Sequence, residues 1–108
     1  MEIEWSFAKD EADLAKKAVP PWVALDIQGE ELDSLGASKR LENLFLTHGS
    51  RLHFLIGGAD GIPQKMVEQS VWKWSLSPLT FTHQMTRLIL LEQLYRAVQI
   101  ASGTSYHK

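Results

Sequence analysis

His83 and Arg87 stand four residues apart where a long helix is predicted to begin. That spacing puts both side chains on one helical face, about 6 Å apart along the axis. A neutral imidazole accepts a proton, directly or through water, and a guanidinium holds a phosphate or a carbonyl oxygen. Two upstream runs have a different kind of potential. Phe54-Leu55-Ile56-Gly57-Gly58-Ala59-Asp60-Gly61 reads as a buried strand ending in glycines, and Trp74-Ser75-Leu76-Ser77-Pro78-Leu79-Thr80 as a strand running into a Ser/Pro loop. Glycines after a strand remove side-chain bulk, so a ligand can lie against bare backbone. The combination points to a cofactor site built from loops rather than from charged side chains. The plainer alternative is that the glycines only serve turns.

The elements that position these residues follow from periodicity and punctuation. Ile3 and Trp5 alternate with Glu2 and Glu4, which predicts a short, half-exposed strand. Lys9 to Val19 reads as a helix, acidic at its start and basic at its end in keeping with the helix dipole, and Pro20-Pro21 stops it. Trp22 to Ile27 reads as a buried strand ending at Gln28-Gly29. Ser34, or else Ser38, is expected to cap a helix to about Thr47, with Leu41, Leu44 and Phe45 inward. Leu52 to Ile56 is a second buried strand. A short helix from Pro63 to Ser70, a strand from Val71 to Leu76, and a long helix from the Thr82 cap to about Ala101 complete the series. Strands alternating with helices predict an α/β fold with a mostly parallel sheet and helices on both faces. Met85, Leu88, Ile89, Leu91, Leu94, Tyr95, Val98 and Ile100 give the last helix more apolar surface than one stripe. Burial on two sides, most simply in a homodimer, is the expectation.

Composition narrows the classes. The chain has 108 residues, 44% hydrophobic and 22% charged, as expected of one globular domain. It has no cysteine, which excludes disulfides and thiolate metal sites, and no metal site is expected. No apolar stretch is long enough to span a bilayer and Met1–Trp5 is not a signal peptide, so a cytoplasmic location is the default expectation. The net charge of −2 argues weakly against a dedicated nucleic-acid binder. However, residues 51–108 hold 6 Lys/Arg against 3 Asp/Glu, and three of the four histidines. If the fold gathers these charges on one face, an RNA backbone has somewhere to dock; the bland reading is a soluble domain with uneven charge.

The segments Leu25–Gly29 (LDIQG), Ile56–Gly61 (IGGADG), Trp74–Phe81 (WSLSPLTF), His83–Arg87 (HQMTR), Leu90–Ala97 (LLEQLYRA) and Tyr106–Lys108 (YHK) fall in an order and spacing that resembles the RlmH family of SPOUT methyltransferases. The likeness runs from about Trp22 to Lys108. It implies a C-terminal trefoil knot, which connection rules alone would never suggest. It also implies a homodimer, S-adenosylmethionine bound in the knot, and methylation of N3 of a pseudouridine in large-subunit ribosomal RNA. Family members begin with a further strand and helix. Residues 1–108 are therefore expected to be a single SPOUT domain lacking that first unit, and the competing expectation is a truncated, catalytically silent knotted dimer that binds cofactor or RNA only weakly.

The resemblance also distributes roles. Leu25, then Gly57, Gly58 and Gly61, then Leu76, Ser77, Pro78, Leu79, Thr80 and Phe81 would be the three cofactor loops, forming a slot with apolar walls and backbone hydrogen-bond groups for an adenine ring. His83 would take the proton from N3, with a packing role at the dimer seam as its alternative. Arg87 would hold a phosphate or the uracil carbonyl, or else pair with a carboxylate across the dimer. Tyr106 and His107 would line the active site, Tyr106 stacking on the target base. The rest is expected to be structural: Glu92 and Arg96 as a helix salt bridge, Trp72 and Trp74 as packing, His53 as a packed histidine, and Asp26 as a strand-end hydrogen-bond acceptor, with a ribose contact as its alternative. A nucleotide-binding module of another kind is disfavoured, because the chain has no glycine-rich phosphate loop with Lys and Ser/Thr.

Overall fold

The fold is taken from a computed structural model that describes residues 6–49, 51–57 and 61–103. The strand expected over Ile3 and Trp5 lies outside them. The elements are α1 (Glu11–Lys17), β1 (Trp22–Glu31), α2 (Ser34–His48), β2 (His53–Ile56), α3 (Gln64–Glu68), β3 (Trp72–Ser75) and α4 (His83–Ala101). The three strands form one parallel sheet in the order β2-β1-β3.

Alternation along the strands sends side chains to two cores. On one face Val23, Trp72 and Trp74 meet Ala37, Leu41 and Leu44 of α2 and Leu90 and Leu94 of α4, with Leu25, Phe54 and Ile56 packed alongside. On the other, Trp22 and Leu55 meet Ala18, Met66 of α3 and Leu14 of α1. The sheet thus carries α2 and α4 on one side and α1 and α3 on the other, as expected of parallel strands joined by helical crossovers. Two of the buried indoles hold the fold through hydrogen bonds: Trp22 Nε1 donates to the Met66 carbonyl at 2.8 Å, and Trp72 Nε1 to Glu30 Oε1 at 2.9 Å.

Local chemistry sets the helix ends. Asp10 caps α1, its side chain accepting from the Asp13 amide, with Glu11 and Asp13 in the first turn and Lys16 and Lys17 in the last. The Asp13 carboxyl is held below the usual carboxylate range, first by the Lys9 amide and further by Lys17. Thr82 caps α4 as expected, accepting from the Met85 amide. The cap of α2 is Asp33 rather than Ser34: the Asp33 carboxylate accepts from the Gly36 amide at 2.8 Å, whereas the Ser34 hydroxyl donates to Gln93 Oε1 on α4.

The main departure from expectation is the length of β1. It does not stop at Gln28-Gly29 but runs to Glu31. Its ladder with β3 is irregular: Leu25 pairs with Trp74, and Glu30 then pairs with Trp74 again, so residues 26–29 bulge from the register. Gly29 is there because the two backbones touch. A Cβ at position 29 would lie 2.6 Å from the Lys73 carbonyl carbon and oxygen and 2.8 Å from the Trp74 nitrogen. Gly29→Ala is expected to destabilise the fold by about 1–3 kcal/mol, because backbone on both sides must shift. Urea unfolding checks this, and a midpoint equal to wild type refutes it.

Candidate functional site

The chain leaves β1 through α2 on one face of the sheet to reach β2. It leaves β2 through α3 on the opposite face, passing β1 to reach β3. At the carboxyl ends of β1 and β2 the connections therefore part to opposite sides, and such a parting opens a crevice at the strand ends.

A groove of about 440 Å³ lies there. β1 contributes Leu25, Asp26, Ile27 and Gln28, and the end of β2 contributes Ile56 and Gly57. The approach to α3 and the helix itself add Gly61, Ile62, Gln64 and Val67, and the start of α4 adds Phe81, His83 and Thr86. The wall from β1 is the bulged segment. Freed from pairing with β3, Asp26 turns its Oδ1 back to accept from the Gln28 amide at 3.1 Å, the acceptor role expected of it but inside β1 rather than at its end.

Five of the residues singled out from the sequence thus line one groove: Leu25, Gly57, Gly61, Phe81 and His83. Arg87 is one helical turn beyond His83, on the same face of α4, and its guanidinium lies over the Phe7 ring, 5.3 Å from the centroid. Leu76 lines a different groove, of about 330 Å³, with Leu32, Asp33, Ser34, Trp74, Ile89 and Gln93. Ser77, Pro78, Leu79 and Thr80 form the connecting loop and line neither groove. That loop is tied to itself, the Ser75 hydroxyl donating to the Ser77 carbonyl and the Leu79 amide to the Ser77 hydroxyl. Gly58, Tyr106 and His107 lie outside the described residues.

The glycines serve the local chain as well as the groove. A Cβ on Gly57 would sit 2.7 Å from the Gly61 carbonyl carbon and the Ile62 nitrogen, so this glycine lets the loop close on itself. Gly61 has φ of +79°, a left-handed conformation that other residues seldom adopt. Its position 61 faces open space, so it leaves room in the groove. The structural roles expected of the two tryptophans and of Glu92 and Arg96 are met. Trp72 and Trp74 are buried and stacked, with ring centroids 4.5 Å apart at 11°, and Glu92 pairs with Arg96. Tyr95, expected in the core or at an interface, is half exposed on α4, which leaves the interface.

Sequence reasoning missed Ile27, Gln28, Ile62, Gln64, Val67 and Thr86. Only Thr86 carried a usable signal, since it lies three residues after His83 on the same helical face.

The donor set suits a nucleoside-bearing ligand. Leu25, Ile56, Ile62, Val67 and Phe81 supply apolar walls for a flat ring, Gln28 and Gln64 supply paired donors and acceptors, and the glycines expose main chain. The volume lies within the range of small-molecule sites. Among the described residues no group of His, Asp or Glu is placed to hold a metal ion, and no helix is long and apolar enough to cross a membrane.

An open parallel sheet with helices on both faces and a groove at its strand ends defines an α/β protein. The family described as "Predicted SPOUT methyltransferase" matches residues 2–107, and the chain belongs to it. It is similar to the ribosomal RNA large subunit methyltransferase H of Halothermothrix orenii, at 49% identity over 80% of this chain and 54% of that protein. It is likewise similar to the protein of that name from a Synechococcus species, at 42% identity over 99% of this chain and 74% of that protein. The Acetivibrio thermocellus protein is 43% identical over 80% of this chain and 54% of its own length. The chain spans about half the length of the first and third of these relatives.

Proposed function

We propose that this chain carries the cofactor groove and proton acceptor of a large-subunit ribosomal RNA methyltransferase, acting on N3 of a pseudouridine with S-adenosylmethionine as donor, as a homodimer with a C-terminal trefoil knot. The observation that carries the reading is the meeting of Leu25, Gly57, Gly61, Phe81 and His83 in one groove, from segments up to about sixty residues apart in sequence. The names of the relatives supply the RNA class.

When bound, S-adenosylmethionine supplies an electrophilic methyl group on a sulfonium. The work left to the protein is orientation and one proton. Leu25, Ile56 and Phe81 would hold the flat part of the ligand, with Gly57 and Gly61 leaving room at its edge. His83, exposed at the start of α4 and lining the groove, accepts the N3 proton. Arg87, on the next turn, holds a phosphate or the base carbonyl. Tyr106 and His107 are proposed to complete the site. Met85, Leu88, Tyr95 and Val98, each 40% exposed or more on one broad face of α4, are the surface proposed to be covered by a second copy.

Transfer of a tritiated methyl group to ribosomes that lack the modification tests the enzymatic reading. A folded dimer that binds S-adenosylhomocysteine by calorimetry but transfers nothing refutes it, and absence of cofactor binding favours the silent knotted scaffold.

A further inference from the structure

Phe7 is the most conspicuous aromatic residue outside the groove. It is 71% exposed, which is unusual for a phenylalanine in a folded domain. It is nevertheless fixed at both ends. Lys17 Nζ donates to the Phe7 carbonyl oxygen and is paired with Asp13 at 3.3 Å, and Asp13 in turn accepts from the Lys9 amide at 2.9 Å. The segment before α1 is thus strapped to α1. The ring, projecting from that strap, lies 5.3 Å from Arg87 Cζ, so it bridges the strap to α4. That distance is within the range of a cation–π contact.

We infer that Phe7 is a positioning residue for Arg87, restraining its guanidinium on the turn of α4 that follows His83, where it would meet an RNA phosphate or base carbonyl, an inference that rests on the RNA-binding role proposed above for Arg87. The physical reason lies in the shape of the two groups. A guanidinium is broad, planar and charged, and an aromatic ring presents a flat, negative face to it. The contact therefore restricts the long arginine side chain. A flexible arginine loses rotamer freedom when it captures RNA, and one already held loses less.

The experiment compares wild type with Phe7→Ala, Phe7→Trp, Arg87→Ala and the Phe7→Ala/Arg87→Ala double variant. Three readouts are taken: binding to unmodified ribosomes, KM and kcat for methyl transfer, and calorimetric affinity for S-adenosylhomocysteine. Phe7→Ala is expected to weaken ribosome binding and raise KM by about two- to fivefold, the size of an exposed cation–π contact. It is expected to leave kcat and cofactor affinity unchanged, and Phe7→Trp is expected to restore binding. In the Arg87→Ala background, Phe7→Ala should add nothing, because the two residues act as one unit. Ring-current shifts on the Arg87 side-chain protons should be present in wild type and vanish in Phe7→Ala. Additive losses in the double variant, ribosome binding unmoved by Phe7→Ala, or no ring-current shift in wild type each overturn the inference. If no protein transfers methyl groups but ribosome binding still falls in Phe7→Ala and recovers in Phe7→Trp, the catalytic reading fails while the positioning role stands.

Discussion

Replacing His83 by alanine is expected to lower kcat for methyl transfer by about two to four orders of magnitude, the usual worth of a positioned general base. The expectation follows from where the residue sits. His83 is the first residue of α4, directly after the Thr82 cap, and its side chain is exposed into the groove beside Phe81 and Thr86. The capping bond belongs to Thr82, which accepts from the Met85 amide, so removing the imidazole leaves the helix start intact. Thermal stability should therefore change little while the chemical step suffers. The competing view of His83 as a packing residue predicts the reverse: a shifted melting temperature and a nearly normal kcat. Single-turnover transfer to unmodified ribosomes decides between them, and a loss of less than tenfold would remove His83 from the reaction.

Trp74→Ala is expected to cost about 3–5 kcal/mol of folding stability. Trp74 is only 2% exposed and is among the largest fully buried side chains of the described residues. It stacks on Trp72, contributes to the core shared with α2 and α4, and pairs with both Leu25 and Glu30 of β1. Truncation leaves a cavity that residues drawn from a sheet and two helices cannot close together. Set against the total of about 5–15 kcal/mol typical of a domain, such a loss brings the protein near unfolding at moderate temperature. It should also disturb the groove, since the bulge that forms the β1 wall is anchored at both ends on this residue. Urea titration followed by far-ultraviolet circular dichroism measures the effect, and a change below 1 kcal/mol would show that the tryptophan pair is not the keystone of the core. Trp74→Phe, which keeps an aromatic ring, should retain most of the stability.

Much of this architecture could be read before any coordinates. The apolar run Trp22–Ile27, the alternation in Val71–Leu76, the proline stop after α1 and the Thr82 cap are local signals, and the structure places the elements where they point. What escaped was set by distant partners. Asp33 and Ser34 are both good capping residues, and the choice between them is made by Gln93, fifty-nine residues from Ser34 in sequence. Gly29 looks like the end of a strand in sequence because glycine usually is, yet here it allows contact with the Lys73 backbone and the strand continues. The site was legible to the same degree. Glycines after β2 and a histidine at a helix start mark themselves, whereas Ile62 looks like an ordinary loop residue, and Gln64 and Val67 like ordinary helix residues, until the fold brings α3 to the strand ends. The pairing of Phe7 with Arg87, eighty residues apart, left no trace in local sequence.

The double pairing of Trp74 with Leu25 and Glu30 has one more consequence. Between those two anchors β1 carries a slack stretch of peptide, residues 26–29, outside the ladder with β3. Amide protons in such a stretch trade with solvent faster than those in the paired ladder on either side. Three of its residues, Asp26, Ile27 and Gln28, are also a wall of the groove. A molecule seated there would shield them, so deuterium uptake in this short stretch serves as a built-in gauge of occupancy: rapid in the bare protein, slowed when the groove is filled, and indifferent to compounds that settle elsewhere.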